Sequence, residues 1–180
     1  MLQVVYRSAV KDRTAATNQF HAIVVSAPAD IREDLQQMPL KRRFEHAMQW
    51  RDRDRDDLAA RATRQALREL TRRMHLLDEQ ANRMETELDQ LTELAATALG
   101  DTFGIGVQTA ARLLVAAGDD PQRIETEGAF AHLCGVAPIR ASSGKTNRHR
   151  LSRGGDRSAN HALWGIAMVR RTCDERTRAY

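Results

Sequence analysis

Between Ala60 and Ala98 the chain contains neither proline nor glycine, and its apolar residues recur by threes and fours. Leu67, Leu70, Met74, Leu77, Ala81, Met84, Leu88, Leu91, Ala95 and Ala98 form a heptad seam, which predicts one α-helix closed by Gly100. At 1.5 Å per residue that helix is roughly 60 Å long, more than a small globule can cover. The stripe is expected to pair with another helix, either in a second copy of the chain or in an antiparallel segment such as residues 7–27. A long helix lying on its own domain is the plainer reading. Alanine and methionine at the seam predict pairing of modest strength.

Composition agrees with helices. Aromatic residues make up 4% of the 180 residues and charged ones 29%, which disfavours a β-sandwich. The expected fold class is all-α: a long coiled-coil helix followed by a small helical domain with a helix-hairpin-helix-like turn. Upstream, Val5, Ala9, Arg13, Ala16, Phe20, Ile23 and Val24 fall at helical spacing, and Pro28 stops that segment. Asp30 is expected to cap a short helix to about Met38. Lys41-Arg42-Arg43 forms a basic patch, and Arg51 to Asp57 then alternate in sign. Asp54, Asp56 and Asp57 suggest a metal site on paper, but acids at a solvated helix start, where the dipole favours them, are the better reading.

Cys134 and Cys173 lie far apart with no CxxC or histidine spacing. They are expected to be thiols of a reducing compartment, with no zinc site. No apolar run approaches the length of a membrane span, so a soluble, cytoplasmic protein without membrane contact is expected.

Beyond Gly100 the composition changes. Phe103-Gly104-Ile105-Gly106-Val107 opens a helix carrying Ala110, Leu113, Leu114 and Ala117 on its apolar face, closed by Gly118 and Pro121. Two glycines around Ile105 permit a tight turn with exposed amides at a helix N-terminus, a geometry that grips phosphate without side chains. A lone GxG is a weak signal. A helix from about Glu127 to Cys134 follows, with Phe130, Leu133 and Cys134 expected to pack on the preceding one. A last helix from Arg157 to about Thr172 is expected to turn Ala159, Leu163, Trp164, Ile166, Ala167 and Val169 inward. Its basic start goes against the helix dipole unless an anion sits there.

Between these helices, Ile139 to Arg157 holds Arg140, Lys145, Arg148, Arg150, Arg153 and Arg157 against a single acid, Asp156. Small residues surround them, with a Ser142-Ser143-Gly144 turn and the pair Gly154-Gly155. Such a segment builds no core and reads as a loop facing a ligand or solvent. Arginine forks and free amides suit the phosphates of a polyanion. The net charge of +4 and pI near 9.6 are consistent with a nucleic-acid partner and do not prove one. The nucleic-acid-binding candidates are thus Gly104, Gly106, Arg140, Lys145, Arg148, Arg150, Arg153, Gly154, Gly155 and Arg157.

Several of these residues match a known pattern. The Gly104-Ile105-Gly106 hairpin, the Gly118-Asp119 step, Phe130-Ala131-His132-Leu133-Cys134-Gly135-Val136-Ala137-Pro138, Ser142-Ser143-Gly144, Arg150 to Arg157 and Asn160-His161-Ala162-Leu163 occur in this order. Together they resemble the C-terminal domain of the IS one-ten family of insertion-sequence transposases (the 110/116/902 group). Arg7 to Lys11 and Asn18 to Phe20 resemble the end of that family's N-terminal domain, and the long helix resembles its coiled-coil insertion. The resemblance divides the chain into residues 1–40, the remnant of a resolvase-like domain, 41–99, the coiled-coil helix, and 100–180, the transposase domain.

What the resemblance implies is DNA transposition guided by a structured RNA. A serine attacks a DNA phosphodiester and holds the strand as phosphoserine; the matching position is Ser143, with Ser142 as the fallback. Magnesium is expected in the full-length family through acids of the N-terminal domain. Those acids lie upstream of the region in which Met1 falls. The chain is therefore expected to be a truncated copy or a fragment, itself holding no cofactor or metal and inactive alone. The expected partners are DNA, the guide RNA and a second copy through the coiled coil. The alternative is a non-catalytic nucleic-acid-binding coiled-coil protein.

Overall fold

The computed structural model describes residues 1–51, 57–119 and 124–179. Asp54, Asp56 and Pro121 lie outside them. Helices α1 (Leu2–Ser26), α2 (Ala29–Gln36), α3 (Leu40–Gln49), α4 (Leu58–Gly100), α5 (Val107–Ala117) and α6 (Glu127–Leu133) are followed by strands β1 (Ile139–Arg140) and β2 (His149–Arg150). Helices α7 (Arg157–Cys173) and α8 (Glu175–Ala179) complete the chain. The architecture is all-α apart from one small hairpin. Two compact units, residues 1–84 and 85–180, divide the chain within α4.

In the first unit α1 runs antiparallel to the first half of α4. Arg13 pairs with Asp78, and one turn on, the Thr17 hydroxyl donates to Met74 Sδ at 3.2 Å, so partners descend α4 as α1 ascends. The in-chain partner expected for the seam is therefore present here. Phe20, Ile31, Leu35 and Leu67 are fully buried, each stabilising the fold by about 1.5–3 kcal/mol. Phe44 meets Phe20 edge to face at 4.9 Å. Pro28 ends α1, as expected, but Asp30 does not cap α2. Its carboxylate accepts instead from Arg64 Nη2 at 3.0 Å, and the Arg64 guanidinium lies 5.3 Å over the Trp50 ring. Asp57, the described member of the acid trio, caps α4 by accepting from Ala60 N at 2.6 Å.

The seam itself differs from the expected register. Leu67, Met74, Ala81 and Leu88 are buried as anticipated, but the other buried positions of the helix include Arg64, Thr71 and Thr92, while Leu70, Leu77 and Met84 are half-buried. Leu91, Ala95 and Ala98 are exposed. Counting i+4 from Leu67 places Thr71 nearer the contact line than Leu70, about 40° off it instead of 60°. Thr71 can occupy that place because its hydroxyl donates to Leu67 O at 2.9 Å, leaving no polar atom unmatched. The helix also bends at Ala96, whose φ of −162° and ψ of 74° are extended.

In the second unit Leu113, Cys134, Ala159, Ala162 and Ile166 form the core, joined by Leu99, Ile105, Phe130 and Leu163. The α6 packing expected from Phe130 and Cys134 is observed. On α7 the inward row is Ala159, Ala162, Leu163 and Ile166, whereas Trp164, Ala167 and Val169 are exposed. At 100° per residue Trp164 lies about 140° around from Ala159, so it cannot share that face. No helix among the described residues is long and apolar enough to cross a membrane.

Candidate nucleic-acid interface

The basic segment is a β-hairpin, which the small residues and charges of the sequence concealed. Ile139 pairs with Arg150 and Arg140 with His149. Ala141 N donates to Arg148 O at 2.9 Å, and Ser143 and Thr146 exchange two backbone bonds of 3.2 and 3.1 Å. The register is continuous, so Gly144-Lys145 is a two-residue turn. Gly144 has φ +56° and Lys145 is not left-handed, the pattern of a type II′ turn, which takes glycine first.

Alternation along the strands sorts the side chains. Arg140, Ser142, Asn147 and His149 share one face; Ser143, Thr146, Arg148 and Arg150 share the other. The two serines differ in consequence. The Ser142 hydroxyl donates to Asn147 Oδ1 at 2.9 Å and accepts from Arg148 N at 3.2 Å, so it is part of the hairpin's own bonding. The Ser143 hydroxyl has no hydrogen bond among the described residues, is exposed beside the turn, and lies on the face of Arg148 and Arg150. Arg140, Lys145, Arg148, Arg150, Arg153 and Arg157 are all exposed, and none makes an ion pair or side-chain hydrogen bond among the described residues.

Gly155 has a packing role. Gly155, at φ +92°, lies against the end of α6: a Cβ there would stand 2.6 Å from Gly135 N and 2.7 Å from Leu133 O. Asp156 N donates to Leu133 O at 2.7 Å, and Asn160 Nδ2 donates to Cys134 O at 3.0 Å. Asp156 Oδ1 then accepts from Ala159 N at 2.7 Å. The anion at the basic start of α7 is thus the chain's own carboxylate, which satisfies the helix dipole without an external phosphate. Burial, and second the Asp156 carboxylate, push the Cys134 thiol above its ordinary pKa.

The glycine turn lies elsewhere on α7. Gly104, at φ +85°, lets the chain pass Arg170, whose Cγ would be 3.1 Å from a Cβ. Gly106 caps α5 without any side-chain bond, so the first amides of α5 extend beyond it. The hairpin adjoins the opposite end of α7, near Arg157, and at 1.5 Å per residue the two ends are about 20 Å apart. The candidates form two clusters, not one. Of the outward row of α7, Arg157, His161, Trp164, Met168 and Arg171, the sequence reading named only Arg157 as a binding candidate, although the 4-3-4-3 spacing was legible beside the inward row. No three His, Cys, Asp or Glu among the described residues are gathered to hold a metal ion.

No curated protein and no solved structure matches the chain. Residues 96–180 match the family model described as the transposase IS116/IS110/IS902 family. The matched stretch contains the glycine turn, the hairpin with its arginines and serines, and the whole of α7. Over residues 96–180 the chain is thus similar to the IS116/IS110/IS902 family of transposases.

Proposed function

We propose that the chain is the DNA-holding, nucleophile-bearing part of a transposase, with Ser143 as the residue that attacks a DNA phosphodiester. The observation that carries this reading is the hairpin tip, where a serine hydroxyl with no partner among the described residues stands among exposed cations that also lack one there. Arginines held ready for phosphate stabilise the charge that develops on an attacked phosphorus. In this reading Ser143 Oγ gives up its proton and bonds to phosphorus, one deoxyribose oxygen leaves and takes up a proton as a hydroxyl, and the strand stays joined as phosphoserine. A serine needs activation to attack, and no carboxylate or imidazole is hydrogen-bonded to Ser143 among the described residues. The activating groups are assigned to the acidic, magnesium-binding domain that the family resemblance implies. Residues 1–40 and the long helix are read as the tail of that domain and its coiled-coil insertion.

The finer partners belong to the same reading. A structured guide RNA shares the cationic surface, and a second copy of the chain covers Leu91 and Leu94, which are 53% and 85% exposed on α4. The cytoplasm is the compartment in which such a protein meets its DNA. The alternative, a module that binds nucleic acid without cutting it, rests on the same cations.

Salt dependence tests the binding surface. Log affinity for duplex DNA should fall linearly with log salt. Changing Arg148, Arg150 and Arg153 to alanine should flatten that slope by up to about 2.7, near 0.9 for each phosphate no longer neutralised. An unchanged slope removes the hairpin from the interface. Joined to a complete acidic domain of a relative, the chain should form a protein–DNA adduct that Ser143→Ala abolishes and Ser142→Ala does not. An adduct surviving Ser143→Ala leaves the non-catalytic alternative or another nucleophile.

A further inference from the structure

We propose that the outward row of α7 is a track for single-stranded DNA, with one unpaired base stacked on Trp164. The inference rests on the nucleic-acid reading above and adds to it the form of DNA and the residue that grips a base. Arg157, His161, Trp164, Met168 and Arg171 recur at 4-3-4-3 spacing and so share one helix face. Trp164 is 60% exposed. A tryptophan that builds no core leaves a large flat apolar surface in water, where stacking on a base would cover it.

Charge selects the occupant. Neither α5 nor α7 contains an aspartate or glutamate, while Arg157 and Arg171 bracket the row. A face that is cationic at both ends and aromatic in the middle suits a polyanion carrying flat rings; an acid-free protein surface would find nothing to neutralise those arginines. Single-stranded nucleic acid combines both features, since its backbone follows cations and its bases stack on aromatic side chains. A duplex keeps its bases stacked on each other and has none to offer Trp164.

The local geometry leaves the indole available. The His161 and Trp164 ring centroids are 6.0 Å apart with planes tilted by 46°, so they do not stack on each other. Arg112 Nη1 lies 2.9 Å from His161 Nδ1. A guanidinium only donates, so the imidazole accepts there and is held in place beside the indole. The row also runs from the hairpin end of α7 toward the end that adjoins the glycine turn. An unpaired strand on it would link the two clusters of candidate residues.

The experiment measures affinity of the full chain for a fifteen-residue oligothymidylate and for a duplex of equal length, across a salt series. Trp164→Ala and Trp164→Leu should each weaken single-strand binding roughly 5- to 150-fold, the range that loss of one base–aromatic stack spans. Trp164→Phe should keep most of it, because a ring remains. Duplex affinity and the salt slope should stay the same in all three variants, since no charge is lost, and retained duplex binding also reports an intact fold. Equal losses on single strand and duplex, no loss on either, or a leucine variant that binds like wild type would overturn the inference and leave the nucleic-acid reading standing. A wild-type chain that binds neither oligonucleotide overturns both. A dimer that Trp164→Ala converts to monomer, with DNA binding unchanged, would assign the face to a second copy instead. Tighter, Trp164-dependent binding of oligouridylate than of oligothymidylate would overturn the assignment to DNA.

Discussion

Gly155→Ala separates a packing role for Gly155 from a phosphate-binding role for the Gly154-Gly155 pair. At Gly155 the added Cβ would stand 2.6 Å from Gly135 N, 2.7 Å from Leu133 O and 2.9 Å from Gly135 Cα. All three are backbone atoms at the end of α6, so no side chain can swing aside. The φ of +92° adds a penalty of about 1–2 kcal/mol for a residue with a Cβ. Relieving the clash means parting the loop from α6, which breaks the 2.7 Å bond from Asp156 N to Leu133 O at about 0.5–1.5 kcal/mol. The sum is roughly 1.5–3.5 kcal/mol, a large share of a domain's typical stability. Circular dichroism during urea unfolding measures it. Gly154→Ala is the control: its nearest atom would be Ser152 Oγ at 3.9 Å and its φ is not left-handed, so its midpoint should stay near wild type. Gly144→Ala, at φ +56° in open space, should cost only about 1 kcal/mol. If Gly155→Ala unfolds with the wild-type midpoint yet loses DNA affinity, the packing argument fails and the glycine pair is a phosphate cradle.

Leu67→Ala should destabilise the first unit by about 2–5 kcal/mol in denaturant unfolding, because the leucine is fully buried between α1 and α4. A loss below about 1 kcal/mol would mean that the seam is not packed there. At neutral pH iodoacetamide should label exposed Cys173 and spare buried Cys134, as peptide mass spectrometry would show, since the thiolate is the reactive form. The raised Cys134 pKa has a fixed sign: burial favours the neutral thiol, so that contribution is complete below the ordinary thiol range and is lost as pH rises through the folded value. Stability that increases through the alkaline range would contradict it.

Periodicity alone determined much of this protein. An uninterrupted run from Ala60 to Ala98 had to be a long helix, Pro28 and Gly100 had to end helices, and Leu67, Met74, Ala81 and Leu88 had to lie on the contact line. The order of the C-terminal motifs likewise identified the family that residues 96–180 match. These features are local, and hydrogen-bond geometry repeats them at fixed spacing. Tertiary structure decided which side of each stripe faced a neighbour. Thr71 displaced Leu70 because a hydroxyl can satisfy itself within its own helix, and Trp164 turned outward because Ala159, Ala162 and Ile166 already filled the core. It also decided the hairpin, since Ile139 and Arg150 are joined by backbone bonds whose partners no side-chain pattern announces. By composition Gly154 and Gly155 read as ligands for phosphate. Only the approach of α6 showed that Gly155 must yield room to Leu133 O and that Asp156 already supplies the negative charge α7 requires. Contacts between residues distant in sequence set these roles, and the chemistry of a single position does not encode its neighbours.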